Sequence, residues 1–148
     1  KINNLMYRGE QVRAIVDLDT VGPGSVIYDF GDAIRTIANS ADEDEQDLGN
    51  VVFDLEFFKA FAQGYLSQTK DMLTDKEKLH LWQAPLYMTL IMGVRFLTDY
   101  LNGDIYYKTE YEAHNLVRTR VQSKLIASME TNYHLIKTII EQILTDNQ

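Results

Sequence analysis

The residues of this chain best suited to chemistry are acids near its start. Asp17-Leu18-Asp19 closes the apolar run Ala14-Ile15-Val16, and Asp29 and Asp32 follow. A buried strand that delivers Asp-x-Asp to a turn is well built to hold a divalent cation against a polyphosphate, because hard cations take oxygen ligands and share them with phosphates. Phosphoryl transfer asks little covalent work of a protein. It needs positioning, one or two Mg²⁺ ions and a carboxylate that orients the acceptor hydroxyl. A second group stands far along the chain: Arg95, Asp99, Tyr100, Asp104, Tyr106 and Tyr107. Planar hydrogen-bonding groups beside aromatic faces suit a small ring-shaped polar acceptor. Each group also has a plain structural reading. Asp-x-Asp forms turns and caps, and Arg95 and Asp99 stand at the i,i+4 spacing of a helix-surface pair.

The elements that must position these groups follow from pattern. Asn4 to Tyr7, the turn Arg8-Gly9-Glu10 and the stretch Gln11 to Leu18 predict a β-hairpin, with Val12, Ile15 and Val16 as β-branched bulk on its second strand. On that register Asp19 points the same way as Asp17. Gly22-Pro23-Gly24 marks a turn. A short helix is expected over residues 29–40, then an acidic connector, Ala41 to Asp47, which reads as a solvated face. From there the chain reads as helical. Phe53, Phe57, Phe58, Phe61 and Tyr65 recur at helical spacing. Thr74-Asp75-Lys76-Glu77 is a capping box that starts a helix running toward Leu101, interrupted at Pro85 and stopped at Asn102-Gly103. Apolar residues from Tyr111 to Ile143 predict one last long helix. Trp82 and the Phe stripe belong to the core.

Composition narrows the classes. The 148 residues are 45% hydrophobic, enough for one domain with a real core, and carry a net charge of −8, which disfavours nucleic acid and anionic membrane surfaces as partners. There is no cysteine, hence no disulfide and no thiolate metal site, and a cytoplasmic location is expected. His80, His114 and His134 lack zinc-ligand spacing. Gly22-Pro23-Gly24 lacks the Lys-Ser/Thr end of a P-loop, and no Gly-x-Ser-x-Gly elbow is present.

Three stretches resemble the aminoglycoside phosphotransferase and choline kinase superfamily, and within it the N-acetylhexosamine 1-kinase type. They are Lys1-Ile2-Asn3-Asn4, Ile15-Val16-Asp17-Leu18-Asp19 and Tyr28-Asp29-Phe30-Gly31-Asp32-Ala33, supported by residues 95–104. The resemblance implies a mainly α (α+β) fold: the helical C-terminal lobe of a protein-kinase-like phosphotransferase with a small N-terminal β-hairpin. Residues 1–148 would form a single domain, with 1–40 carrying the end of the catalytic loop, the hairpin and the metal loop, and 53–148 a helical substrate-side subdomain. It also implies ATP as co-substrate and Mg²⁺ as cofactor. Lys1 would be the catalytic-loop lysine, with the base Asp two residues ahead of it, so that the 148 residues alone would be inactive. Asn4 and Asp17 would be metal ligands, with Asp19 an added one. Asp32 would brace the metal loop, and Arg35 would reach phosphates or brace an acid. Arg95 and Tyr106 would face a sugar, though spacing does not separate Tyr106 from Tyr107. Asp29-Phe30-Gly31 spells a protein-kinase metal triplet, but the Asp that follows the hairpin is Asp17. Choline, homoserine or an aminoglycoside are alternative acceptors, and a non-enzymatic helical binding module is the alternative class. Apolar surface left bare by a missing lobe would favour self-association.

Overall fold

The computed structural model describes residues 4–19 and 21–146; Lys1 lies outside them. Strands β1 (Leu5–Arg8) and β2 (Gln11–Ile15) form an antiparallel hairpin. Its turn is Gly9-Glu10, and Gly9 takes φ +62°, which costs an L side chain but not glycine. Leu5 pairs with Ile15 and Met6 with Ala14, but Tyr7 pairs with Val12, so a bulge shifts the register between Met6 and Tyr7.

The hairpin departs from expectation twice. β2 ends at Ile15 rather than Leu18, and every one of its residues is exposed, so the carboxylates do not come from a buried strand. The ladder stops because Asp17 takes φ +61°, a left-handed conformation that Asp tolerates better than most residues. That turn also breaks the alternation that was to aim Asp19 and Asp17 alike.

Helix α1 runs from Val26 to Ile37, earlier than expected, because the Ser25 hydroxyl accepts from the Ile27 amide and caps it. Its buried face is Phe30, Gly31, Ile34 and Arg35. Helix α2 (Leu55–Thr69) is capped by Asp54, whose carboxylate accepts from the Glu56 and Phe57 amides. Its buried face is Phe58, Ala62 and Leu66, not the full Phe stripe: Phe53 is buried ahead of the helix, and Phe57 is 60% exposed. The register set by the Asp54 cap turns Phe57 outward.

Helix α3 (Asp75–His80) starts at the predicted capping box, with Thr74 and Glu77 bonding reciprocally. A 3₁₀ turn, Leu81–Gln83, separates it from α4 (Ala84–Leu101), where Pro85 sits in the first turn, its favoured helical place. Asn102 and Gly103, at φ +91°, end α4 as expected. The expected final helix is two, α5 (His114–Thr131) and α6 (Tyr133–Asp146). Asn132 breaks them: its side chain donates back to the Ser128 carbonyl, and its own carbonyl accepts from the Ile136 amide.

α4 packs against both α1 and α5, and α2 packs against α6. Phe30, Ile34, Phe58, Leu66, Leu125, Met129 and Ile136 are fully buried in one continuous core, with Trp82 at its edge. The whole is a helical body with one small hairpin at its N-terminal edge, the fold class expected.

Candidate active site

The hairpin and α1 supply one side of an open cleft of about 570 Å³. Asn4, Asp17, Tyr28, Asp29, Asp32 and Arg35 line this side. α4 and the loop after it supply the other, through Met88, Met92, Arg95, Tyr106 and Tyr107. Two groups that are remote in sequence therefore face one space.

On the hairpin side, the Val16 amide donates to the Asn4 carbonyl at 2.9 Å, closing the ladder's open end. This places the two side chains together, and Asn4 Nδ2 donates to Asp17 Oδ2 at 3.1 Å. With its nitrogen so engaged, Asn4 keeps its amide oxygen for a cation, next to the Asp17 carboxylate. Among the described residues, no three His, Asp or Glu side chains converge as a self-sufficient metal cage. An amide oxygen and one carboxylate do fit a Mg²⁺ ion that completes its shell with phosphates and water, as this cation prefers. Asp19 is exposed and does not line the cleft. Asp29, set aside in the sequence, does line it, from the first turn of α1.

One turn on, Asp32 is held by Arg35, whose Nε donates to Asp32 Oδ1 at 3.0 Å. Arg35 is only 3% exposed, and its Nη1 donates to Glu43 at 2.8 Å. Of the two roles expected for Arg35, bracing an acid is the one its burial and partners match.

On the α4 side, Arg95 does not pair with Asp99. The Arg95 guanidinium lies 5.7 Å from the ring centre of Tyr106 and 5.5 Å from that of Tyr107, a cation–π arrangement. Its Nη2 also donates to the Tyr106 hydroxyl at 3.5 Å. Among the described residues no carboxylate forms an ion pair with it. The structure separates the two tyrosines that spacing could not. Tyr106 is 72% exposed and points its hydroxyl toward Arg95. Tyr107 packs on Phe96, with ring centres 4.9 Å apart, and buries its hydroxyl without a partner. Burial pushes the Tyr107 pKa up even though Arg95 pulls it down, so the phenol keeps its proton.

Asp99 organises this loop from beneath. Its Oδ1 accepts from the Ile105 and Tyr106 amides, and its Oδ2 accepts from the Tyr107 amide and from Asn115 Nδ2, all between 2.8 and 3.1 Å. Burial pushes the Asp99 carboxyl up, but those four donors together hold it below its ordinary value of 3.8. Asn115, which also donates to Asp104, was not foreseen. Nothing in local sequence marks it, since its partners lie on another helix and its loop.

The acidic connector is a correction too. Glu43 and Asp44 are only partly solvated, their side chains 39% and 40% exposed: Arg35 and Tyr111 donate to them, and Arg118 and His114 lie within ion-pair distance.

Residues 1–82 of the 148 match the sequence model of the phosphotransferase enzyme family, APH. The chain belongs to that family. The matched stretch holds Asn4, Asp17, Asp29, Asp32 and Arg35, the hairpin side of the cleft. Arg95, Tyr106 and Tyr107 lie beyond it, so the family assignment and the geometry of the α4 side of the cleft are independent observations.

Proposed function

We propose that this chain is the substrate-side part of an ATP- and Mg²⁺-dependent small-molecule kinase that phosphorylates an N-acetylhexosamine at its anomeric hydroxyl. The observation that carries this reading is the shared cleft, in which the Asn4–Asp17 pair faces Arg95 and Tyr106. In it, residues 1–40 serve the metal and phosphate side, and residues 53–148 serve the acceptor. Asn4 and Asp17 would hold Mg²⁺, which when bound neutralises charge on the nucleotide phosphates. Arg95 and Tyr106 are planar donors at the cleft rim, suited to adjacent sugar hydroxyls or an acetamido oxygen. Tyr107 and the Met88 and Met92 side chains give the ring an apolar wall.

One observation favours a second reading. Asp17, Asp29 and Asp32 share the cleft with three tyrosines, and acids beside aromatic faces also suit a cationic acceptor such as choline or an aminoglycoside. The unpaired Arg95 guanidinium at the same rim weighs against it. The deciding experiment is a screen of the full-length protein for ADP release with N-acetylglucosamine, N-acetylgalactosamine, choline, homoserine and aminoglycosides. ADP release with an N-acetylhexosamine supports the proposal. Turnover of choline with none of the amino sugars overturns it.

A further inference from the structure

We propose that Glu43 is a positioning residue for the acceptor: by holding Arg35 and Arg118 at once, it sets the Tyr106–Tyr107 loop against the Asp17–Asp32 side of the cleft. The proposal rests on the reading that the acceptor meets the phosphate donor in that cleft.

A continuous path of polar contacts joins the two sides behind the cleft wall. It starts at Asp32, which takes the Arg35 Nε donation. Arg35 Nη1 donates to Glu43 Oε1 at 2.8 Å, and Glu43 Oε2 lies 3.9 Å from Arg118 Nε. Arg118 Nη1 donates to the Lys108 carbonyl at 3.2 Å and to Asn115 Oδ1 at 3.1 Å. Asn115 then donates to Asp99, whose carboxylate holds the amides of residues 105–107. Glu43 is the charged link between the α1 half and the α5 half of this path, beside one longer neutral contact, the 3.5 Å donation from Arg35 Nη1 to Gln122 Oε1 on α5. The link is charged at both ends. The Arg35 side chain is 2% exposed and that of Arg118 17%, so two largely desolvated cations sit near each other and share one carboxylate. Desolvated cations are tolerated only with matched anions close by. Removing the Glu43 charge leaves Arg118 without an ion-pair partner among the described residues, and leaves Arg35 with Asp32 as its one ion pair among them and the neutral Gln122 amide oxygen.

The connector is also fixed in place beside Glu43. The Tyr111 hydroxyl donates to Asp44 Oδ2 at 3.2 Å, and His114 Nε2 lies 3.2 Å from the same oxygen. The Tyr111 and His114 rings stack with centres 4.2 Å apart. Glu43 is therefore presented by an anchored segment, which is what a residue that sets a distance requires.

Amide hydrogen exchange on the labelled chain tests this without any substrate. Glu43→Gln keeps the side chain's size and removes its charge; Asp42→Asn, on the exposed neighbour, is the control. In Glu43→Gln the Ile105, Tyr106 and Tyr107 amides should exchange about tenfold faster, with the α2 core amides of Phe58 and Leu66 unchanged. Asp42→Asn should change neither set. Unchanged exchange at residues 105–107, or equal acceleration at Phe58 and Leu66, overturns the positioning role. In the full-length protein, Glu43→Gln should raise the acceptor KM about tenfold and leave kcat and the KM for ATP within about twofold. A fall in kcat with an unchanged acceptor KM would also overturn it. If the acceptor screen fails while the exchange pattern appears, the functional reading falls and the coupling of Glu43 to the loop stands.

Discussion

At the scale of single residues, the cleft separates exposed groups open to a ligand from groups whose bonds hold its shape. Arg95 is exposed and forms no ion pair with a described acid, so its charge meets the fold chiefly at the Tyr106 and Tyr107 rings. Arg95→Ala should cost no more than about 1 kcal/mol of stability, the scale of exposed cation–π contacts, while the acceptor KM rises. Thermal melts and steady-state kinetics on one preparation check both halves. Asp99 is the opposite case. Its pKa is lower folded than unfolded, so the stability it contributes is complete above its ordinary value of 3.8 and is lost as pH falls below that toward the folded pKa. The wild-type melting temperature should therefore drop in acid below about pH 4. Asp99→Asn should be less stable at pH 7 and should flatten that acid slope; melts from pH 2.5 to 7 read the difference. A carboxylate that accepts four hydrogen bonds cannot be replaced by an amide that must turn donors toward donors.

At the scale of elements, the decisive packing is α1 on α4, which fixes the two sides of the cleft. Gly31 makes it possible. A Cβ there would collide with the Ala84 carbonyl oxygen and with Met88 Cγ. Gly31→Ala should cost about 1–3 kcal/mol, the usual range for overpacking, and should move Met88 in the cleft wall. Urea unfolding gives the first quantity, and the Met88 methyl shift reads the second. Asp29-Phe30-Gly31 thus serves packing in its last two residues: Phe30 is fully buried against Phe58, Phe61 and Tyr65, and Gly31 admits α4.

For the whole molecule, the hairpin stands out because among the described residues little covers it. Met6, Tyr7, Val12 and Ile15 are each at least half exposed, and a lone two-stranded hairpin has little stability of its own. The isolated 148-residue chain should associate as concentration rises, and Ile15→Lys should weaken that association in sedimentation velocity. Mg²⁺ alone should bind the same chain weakly, because Asn4 and Asp17 offer few ligands without phosphate. Calorimetry that gave a Kd in the micromolar range or below would contradict the assignment of phosphates to the rest of the shell.

Local sequence determined the features whose causes are local. The capping box at Thr74 and Glu77, the Asn102-Gly103 stop and the hairpin turn at Gly9 each depend on neighbours a few residues away, and each stands where the pattern placed it. The Asn4–Asp17 contact was legible as well, because one short hairpin joins the two residues. Tertiary structure decided what depends on distant partners. The connector reads as solvated until Arg35, Arg118, Tyr111 and His114 are brought to it. The exposed β2 looked buried because β-branched residues report a preference for strand, not what covers it. Tyr106 and Tyr107 are identical in sequence terms, and only the Phe96 ring and the Asp99 carboxylate, both on α4, assign one to the cleft rim and the other to its wall. Side chains at long separation acquire their chemistry from burial and charge that the fold brings together, and no local pattern encodes that.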